Sequence, residues 1–451
     1  MRMSRKAVAM LTLASMMAMQ VPFSAFAAPE KGWTMKGNDW YYLDSHGDYV
    51  TDAWRDNDAR TYKFYLDDSG KMLTSQLIEY GDDYYYVNGD GVQSRNMWRL
   101  VYSEDDGEDR WYYFGNDGKA YKSGWKKIND RTYHFTDGKM DYGFLDEEGQ
   151  MLDADDETIW EDAVYFAGDN TTGWRYENKW LDIHDFDDSE YEDRDLLWIW
   201  FGNNGKKVTS SSKTINNVKY AFDEQGAMVA EWYGSATPSD AEYKYYEDDG
   251  RLMKGKWFKA VPSEDQNADD NADGTERWFY ANSNGSTVKN QLKTINGKRY
   301  LFDENGIMQT GLVVVDSNNH LVEVLGTEED GFPSSSEVKA ARDKGTLMFF
   351  DDNGAMAKSK KTIELDDDKF TFKFNSKGAA LHGVSDSYLY DNGILLQAED
   401  EKYSVEAVDG KEYLVNKAGK VMKAGEYKDD DIKWIVTGTV TDGFSIEQTN
   451  N

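Results

Sequence analysis

The chain has no cysteine, only five prolines in 451 residues, and five histidines. The first absence excludes disulfides, thiol nucleophiles and cysteine metal sites together. The histidines, His46, His134, His184, His320 and His382, are scattered and show no metal-binding spacing such as H-E-x-x-H. Nucleophile elbows and phosphate loops are missing too. Positive charge is scarce: 51 Lys and Arg face 84 Asp and Glu, a net charge of −33. Nucleic acids and anionic lipids recruit basic surfaces, so neither is an expected partner. Long apolar runs are confined to the start. Arg2, Arg5 and Lys6 precede an apolar stretch from about Ala7 to Val21, and Ala25-Phe26-Ala27 supplies a small-x-small cleavage site. Residues 1–27 therefore read as a signal peptide. No later segment has the length and apolarity of a bilayer helix, so no transmembrane segment is expected after cleavage.

What the chain has instead is rings. Hydrophobic residues make up a modest 39%, yet there are 15 Trp, 30 Tyr and 20 Phe. Such a polar chain cannot own one large aliphatic core, and it is too aromatic to be disordered.

The rings recur with a period. Trp40-Tyr41-Tyr42-Leu43 runs into a polar turn at Gly47, and Trp111-Tyr112-Tyr113-Phe114 into one at Gly118. Further copies end at Gly70, Gly91, Gly138, Gly149, Gly205, Gly226, Gly250, Gly285, Gly306, Gly354, Gly378, Gly393 and Gly419. Uninterrupted copies are spaced by 20 to 27 residues, as from Gly118 to Gly138 or Gly91 to Gly118. Aromatic runs beside Asn-Gly and Asp-Gly turns are a hairpin signature. Side chains alternate faces along a strand, so Trp111 to Phe114 places large rings on both. A lone hairpin cannot cover two apolar faces, whereas stacked hairpins cover each other. The expected fold is all-β, a solenoid of stacked β-hairpin repeats with acidic loop insertions.

The pattern resembles the cell-wall-binding repeats of the choline-binding type, related to glucan-binding repeats of secreted glucosyltransferases and to receptor-binding repeats of clostridial toxins. Gly32-Trp33 precedes Trp40-Tyr41-Tyr42 and Trp54 follows; Trp111-Tyr112-Tyr113 precedes Gly124-Trp125. Met stands two residues after the turn glycine at Met72, Met140, Met151, Met228, Met308 and Met356. The resemblance covers most of residues 32–422. It implies aromatic cages between neighbouring hairpins, where rings and a Met surround a quaternary ammonium. Carried over to this chain, it implies Trp33, Trp40 and Trp54 in one ligand-binding site, and Trp111 and Trp125 in a second. A third, with Glu231 in place of the preceding Gly, would hold Trp232, Tyr246 and Trp257. Leu77 and Leu312 replace the opening Trp elsewhere. The alternative is that these rings are packing, since aromatic stripes at structural spacing usually are.

The expected organisation follows from this pattern. Residues 28–150 hold the best-preserved hairpin repeats, 151–200 degenerate acidic repeats and 201–312 further hairpin repeats. Residues 313–346 form an insertion, with a short helix capped by Ser334 and Glu337, and 347–451 hold degenerate repeats. No other helix is expected. Acidic insertions at 104–109, 185–195 and 264–274 read as solvated loops. Within the last, Asp269, Asn271 and Asp273 before Gly274 match the opening of a calcium loop, but Tyr280 stands where its closing Glu belongs. No catalytic residue, cofactor or metal is assigned otherwise. The expectation is a secreted, non-enzymatic protein associated with the cell wall of a Gram-positive bacterium, whose partner is a cell-wall polymer or glycan. A glycan-binding adhesin or toxin-like receptor-binding array is the alternative, and a surface hydrolase with an unrecognised site ranks third.

Overall fold

The computed structural model describes residues 31–153, 159–183, 197–233 and 242–450. The expected signal peptide and the acidic stretch 185–195 lie outside them. Within the described residues the chain is almost entirely antiparallel β, arranged as two-stranded hairpins that in places extend to three or five strands.

The hairpin turn falls before the aromatic run rather than after it. In Ser211–Ile215 paired with Val218–Phe222, the joining residues Asn216 and Asn217 have φ of 49° and 67°. Two successive positive φ values match the right-handed twist of the flanking strands, and Asn tolerates them. The turn glycines read from sequence do a second job, closing a loop after the aromatic strand. There an Asp or Asn three residues ahead accepts backbone N–H groups, as Asp67 Oδ1 does from Ser69 and Lys71 at 2.9 Å each. Asn88 repeats this with Asp90 and Val92. The chain then makes a single bridge, Leu66 to Met72 or Phe302 to Met308, and runs into the next hairpin.

That bridging residue also ties consecutive hairpins together. Met72 donates its N–H to Trp40 O at 2.8 Å, Met228 to Trp198 O at 2.7 Å, Met308 to Trp278 O at 2.9 Å and Met356 to Arg299 O at 2.8 Å. Each rung satisfies backbone groups that an isolated hairpin would leave to water. Hairpin-on-hairpin stacking thus follows from where the turn glycine sits.

The chain divides into two compact units, residues 1–179 with 201–207, and 180–200 with 208–451. Ring clusters dominate the first, built on Phe64, Phe114 and Phe135, each at most 1% exposed. The second begins in the same style and changes past residue 311. There Gly311–Val315 is central in a three-stranded sheet, and Ser359–Leu365 opens a five-stranded one. Leu312, Val314, Leu347, Leu365, Leu389 and Leu414 bury a mixed core with Phe349, Phe372 and Phe374. Hairpin closure persists in this stretch, with bridges Phe350 to Met356 and Val415 to Val421.

The expected helix is present as Ser335–Ala340, with Ser334 accepting from Glu337 N and the Glu337 carboxylate accepting from Ser334 N. Two further short helices were not expected, Ile159–Asp162 and Ala268–Ala272. The second overturns the calcium-loop reading of Asp269, Asn271 and Asp273. Asn267 caps the segment, its side chain accepting from Asp270 N at 3.0 Å, and among the described residues no group of three or more His, Asp or Glu side chains is placed to hold a metal ion. Asn271 Nδ2 is already committed to Pro262 O at 2.8 Å, and Asp270 to Arg277 at 2.6 Å.

Candidate ligand-binding site

The register aligns each opening tryptophan with one ring on the partner strand: Trp33 with Tyr42, Trp54 with Tyr65, Trp98 with Tyr113, Trp232 with Tyr245 and Trp257 with Tyr280. In the fullest copies this pair is the start of a five-ring cluster. Trp98 lies 6.4 Å from Trp111 and 5.1 Å from Tyr113 on its own hairpin, then 4.9 Å from Tyr133 and 5.8 Å from Phe135 on the next. Trp180 meets Trp198, Trp200, Tyr220 and Phe222 at 6.4, 5.0, 5.0 and 5.7 Å. Trp257 meets Trp278, Tyr280, Tyr300 and Phe302 at 6.4, 5.2, 4.8 and 5.7 Å. The three copies agree within 0.2 Å at every distance.

Each cluster has a floor and a rim. Phe135, Phe222 and Phe302 are fully buried, and Met140, Met228 and Met308 pack beside them. The indoles above are part-exposed, Trp278 at 44%. In each copy the opening indole and the first indole of the partner strand stand perpendicular, at 88°, 85° and 86°, with the tyrosine of the next hairpin on a third side. Burial raises the Tyr133 phenol while the neighbouring Arg131 pulls it back in part. The result is a three-sided aromatic corner backed by a thioether. Such a corner presents π faces and little hydrogen-bonding capacity, which suits a bulky, weakly hydrated cation or the apolar face of a sugar.

The residues expected to share sites are distributed differently. Trp33 packs on Tyr42 and Phe64, and its Nε1 donates to Asp56 O at 3.1 Å. Trp40 occupies the strand position that Trp111, Trp198 and Trp278 hold in the full clusters. Trp54 lies one hairpin further on, against Tyr65 and Tyr85. Trp111 belongs to the Trp98 cluster, whereas Trp125 packs on His134 and Tyr165. Trp232 gathers Tyr243, Tyr245, Phe258 and Phe279, Trp257 has its own cluster, and Tyr246 is fully buried against Ala221, Val229 and Leu252. The expectation that successive opening tryptophans share a cage is therefore corrected. The rungs bring the second strand of the next hairpin, not its opening tryptophan, against each indole.

Sequence reasoning missed Trp98, Tyr133, Trp180, Trp198, Tyr220, Trp278 and Tyr300. Met97 precedes Trp98 where Gly precedes Trp33 and Trp125, and the insertion between Trp180 and Trp198 hid that pair in a stretch read as degenerate. A usable signal existed. All three clusters share an opening Trp, then Trp-x-Tyr or Trp-x-Trp, then Tyr-x-Phe followed by Gly-x-Met, as in Tyr300-x-Phe302 and Gly306-x-Met308.

These features define a class, an array of β-hairpin repeats whose rings meet across neighbouring copies. Three segments of the chain match cell wall binding repeats of the choline-binding type. The family described as "Putative cell wall binding repeat" matches residues 105–120, 123–140 and 290–308, which contain Trp111, Tyr133, Met140, Tyr300 and Met308. Glucosyltransferase-I of Streptococcus downei is 24% identical over 403 residues, 88% of this chain and 22% of that protein. Glucosyltransferase-S of Streptococcus mutans is 27% identical over 289 residues, 64% of this chain and 15% of that protein. The chain thus spans about a fifth or less of the length of these curated relatives. Among solved structures, choline binding protein F of Streptococcus pneumoniae is similar at 17% identity and a TM-score of 0.35, over 79% of this chain and all of that one. The modular autolysin LytC of the same organism is similar at 14% identity and a TM-score of 0.38, over 63% of this chain and 54% of that one.

Proposed function

We propose that the protein is a secreted, non-catalytic binding protein of the Gram-positive cell surface. It holds a cell-wall polymer through quaternary ammonium groups, such as the choline of a teichoic acid, seated in the aromatic corners. The supporting observation is the threefold recurrence of one geometry, with the same four ring distances and a methionine each time. A ring-face contact with a cation contributes about 0.5–2 kcal/mol, so one corner supplies a dissociation constant of about millimolar order. Weak corners on one chain then act together on a repeating polymer, where avidity replaces affinity. Among the described residues no helix is long and apolar enough to cross a membrane, and attachment through such corners requires none.

A second reading has its own support. The sequence relatives are glucosyltransferases, so the corners could instead stack on glucan. Retention on a quaternary-amine resin at high salt, with elution by free choline, tests the first reading, because salt screens the attraction of a polyanion for any cation. Passage through that resin combined with retention on immobilised glucan would transfer the function to the second.

A further inference from the structure

The residue two positions after a turn glycine aims its side chain at the rings, and at Met228 and Met308 it also donates a rung. In the three full clusters that residue is Met140, Met228 or Met308, and each abuts a positive-φ loop glycine further along the chain, Gly173, Gly250 or Gly354. A Cβ added at Gly173, Gly250 or Gly354 would fall 2.1–2.2 Å from the methionine concerned. Arg175 holds the same position, two after Gly173. It donates its N–H to Thr132 O at 2.7 Å and abuts Gly205, where a Cβ would lie 2.2 Å from its Nε. Its side chain takes the place of the thioether beside Trp125, Tyr165 and His134.

Arg175, however, brings a charge. Its guanidinium carbon lies 4.7 Å from the Trp125 ring centroid and 5.7 Å from that of Tyr165. The side chain is 15% exposed. Glu177 Oε1 accepts from Arg175 Nε at 3.2 Å and Nη2 at 2.6 Å, and also from Thr132 Oγ1 at 2.9 Å. A guanidinium is planar and weakly hydrated, so it stacks on rings at modest desolvation cost.

We propose that the Trp125–Tyr165–His134 cluster is a cation site whose resident ligand is Arg175, so that this copy is closed to external quaternary ammonium and the residue after the turn decides which copies bind. The inference rests on the reading that the open corners take such a cation. Substituting Arg175→Met installs the residue used by the three open copies, at a position where Gly205 leaves the same room that Gly250 leaves for Met228.

The test uses the chain labelled with 5-fluorotryptophan and titrated with tetramethylammonium chloride, with Trp111 and Trp125 resonances assigned by single substitution to Phe. In the unmodified protein the Trp111 resonance shifts saturably and that of Trp125 stays still; in Arg175→Met both shift. A Trp125 shift of equal size in both proteins overturns the proposal. A second measurement needs no ligand. The Arg175 Nε–H should exchange with water more slowly than that of exposed Arg60, and lose this protection in Trp125→Leu. Exchange as fast as Arg60 overturns the proposal even where Trp111 responds. If neither tryptophan responds in either protein, the open-corner reading fails, and slow Arg175 exchange still upholds the internal stacking.

Discussion

Substituting Gly250→Ala should destabilise the second unit by more than backbone strain can explain. Gly250 has φ +76°, a conformation that costs an L-residue about 1–2 kcal/mol. A Cβ there would also lie 2.2 Å from Met228 Sδ and 2.7 Å from its Cε and Cγ. Met228 is wedged beside Phe222 and Trp200, so it cannot move aside without disturbing the cluster. Overpacking of this kind costs about 1–3 kcal/mol, for a total of about 2–5 kcal/mol. Gly297 is the control: its φ is +81°, yet an added Cβ there meets nothing within 4 Å. Gly297→Ala should therefore cost only about 1–2 kcal/mol. Because repeat arrays can open in parts, the assay is hydrogen exchange over the 218–252 segment, with urea unfolding beside it. The double variant with Met228→Ala should cost about 1–3 kcal/mol less than the sum of its parts, since the clash is gone. Equal costs at Gly250 and Gly297, or strict additivity with Met228→Ala, would refute the wedge.

Other outcomes follow from the same geometry. Trp257→Ala should cost about 3–5 kcal/mol, because its indole is the hub of four ring contacts, whereas Trp278→Ala should cost about 1 kcal/mol; denaturant midpoints that fail to separate the two would contradict the hub-and-rim assignment. Tyr246→Phe should be neutral or gain up to about 1–2 kcal/mol, since the buried hydroxyl has no hydrogen-bond partner among the described residues, and a loss of stability in urea would show that it has one. Burial pushes the Tyr112 and Tyr245 phenols up to about 12. The folded chain keeps those protons above pH 10, where the unfolded chain releases them. This stabilisation is therefore complete below about pH 10 and is lost as the pH rises toward 12. Phenolate absorbance that is complete by pH 10.5 in the folded protein would contradict it.

The repeat was legible because its signals are local. Each turn glycine lies within a few residues of the ring run it serves, and the capping pair Ser334 and Glu337 is three residues apart. The position of the tight turn was misplaced because Asn216-Asn217 and Asn129-Asp130 look weaker than Asn-Gly, though both adopt the required positive φ. Ring partners were illegible for a different reason. Tyr133 is 35 residues from Trp98, and Tyr220 is 40 from Trp180, so the pairing depends on the rungs between hairpins. The methionine rhythm was visible, but its meaning lies in the next glycine: Met308 fits because Gly354 has no Cβ. Arg175 gave no signal, since its ring partner Trp125 is 50 residues away. The helix at Ala268–Ala272 was hidden by an acidic composition that reads equally well as loop.

The central claim is that three aromatic corners take a quaternary ammonium at their exposed indoles. The most direct measurement is a choline titration of the unmodified chain and of the triple variant Trp111→Ala, Trp198→Ala and Trp278→Ala, followed by tryptophan fluorescence at high salt. The account predicts a saturable response in the first, and its loss in the second while the far-ultraviolet circular dichroism is unchanged. An undiminished response in the triple variant, or none in the unmodified chain, would contradict it.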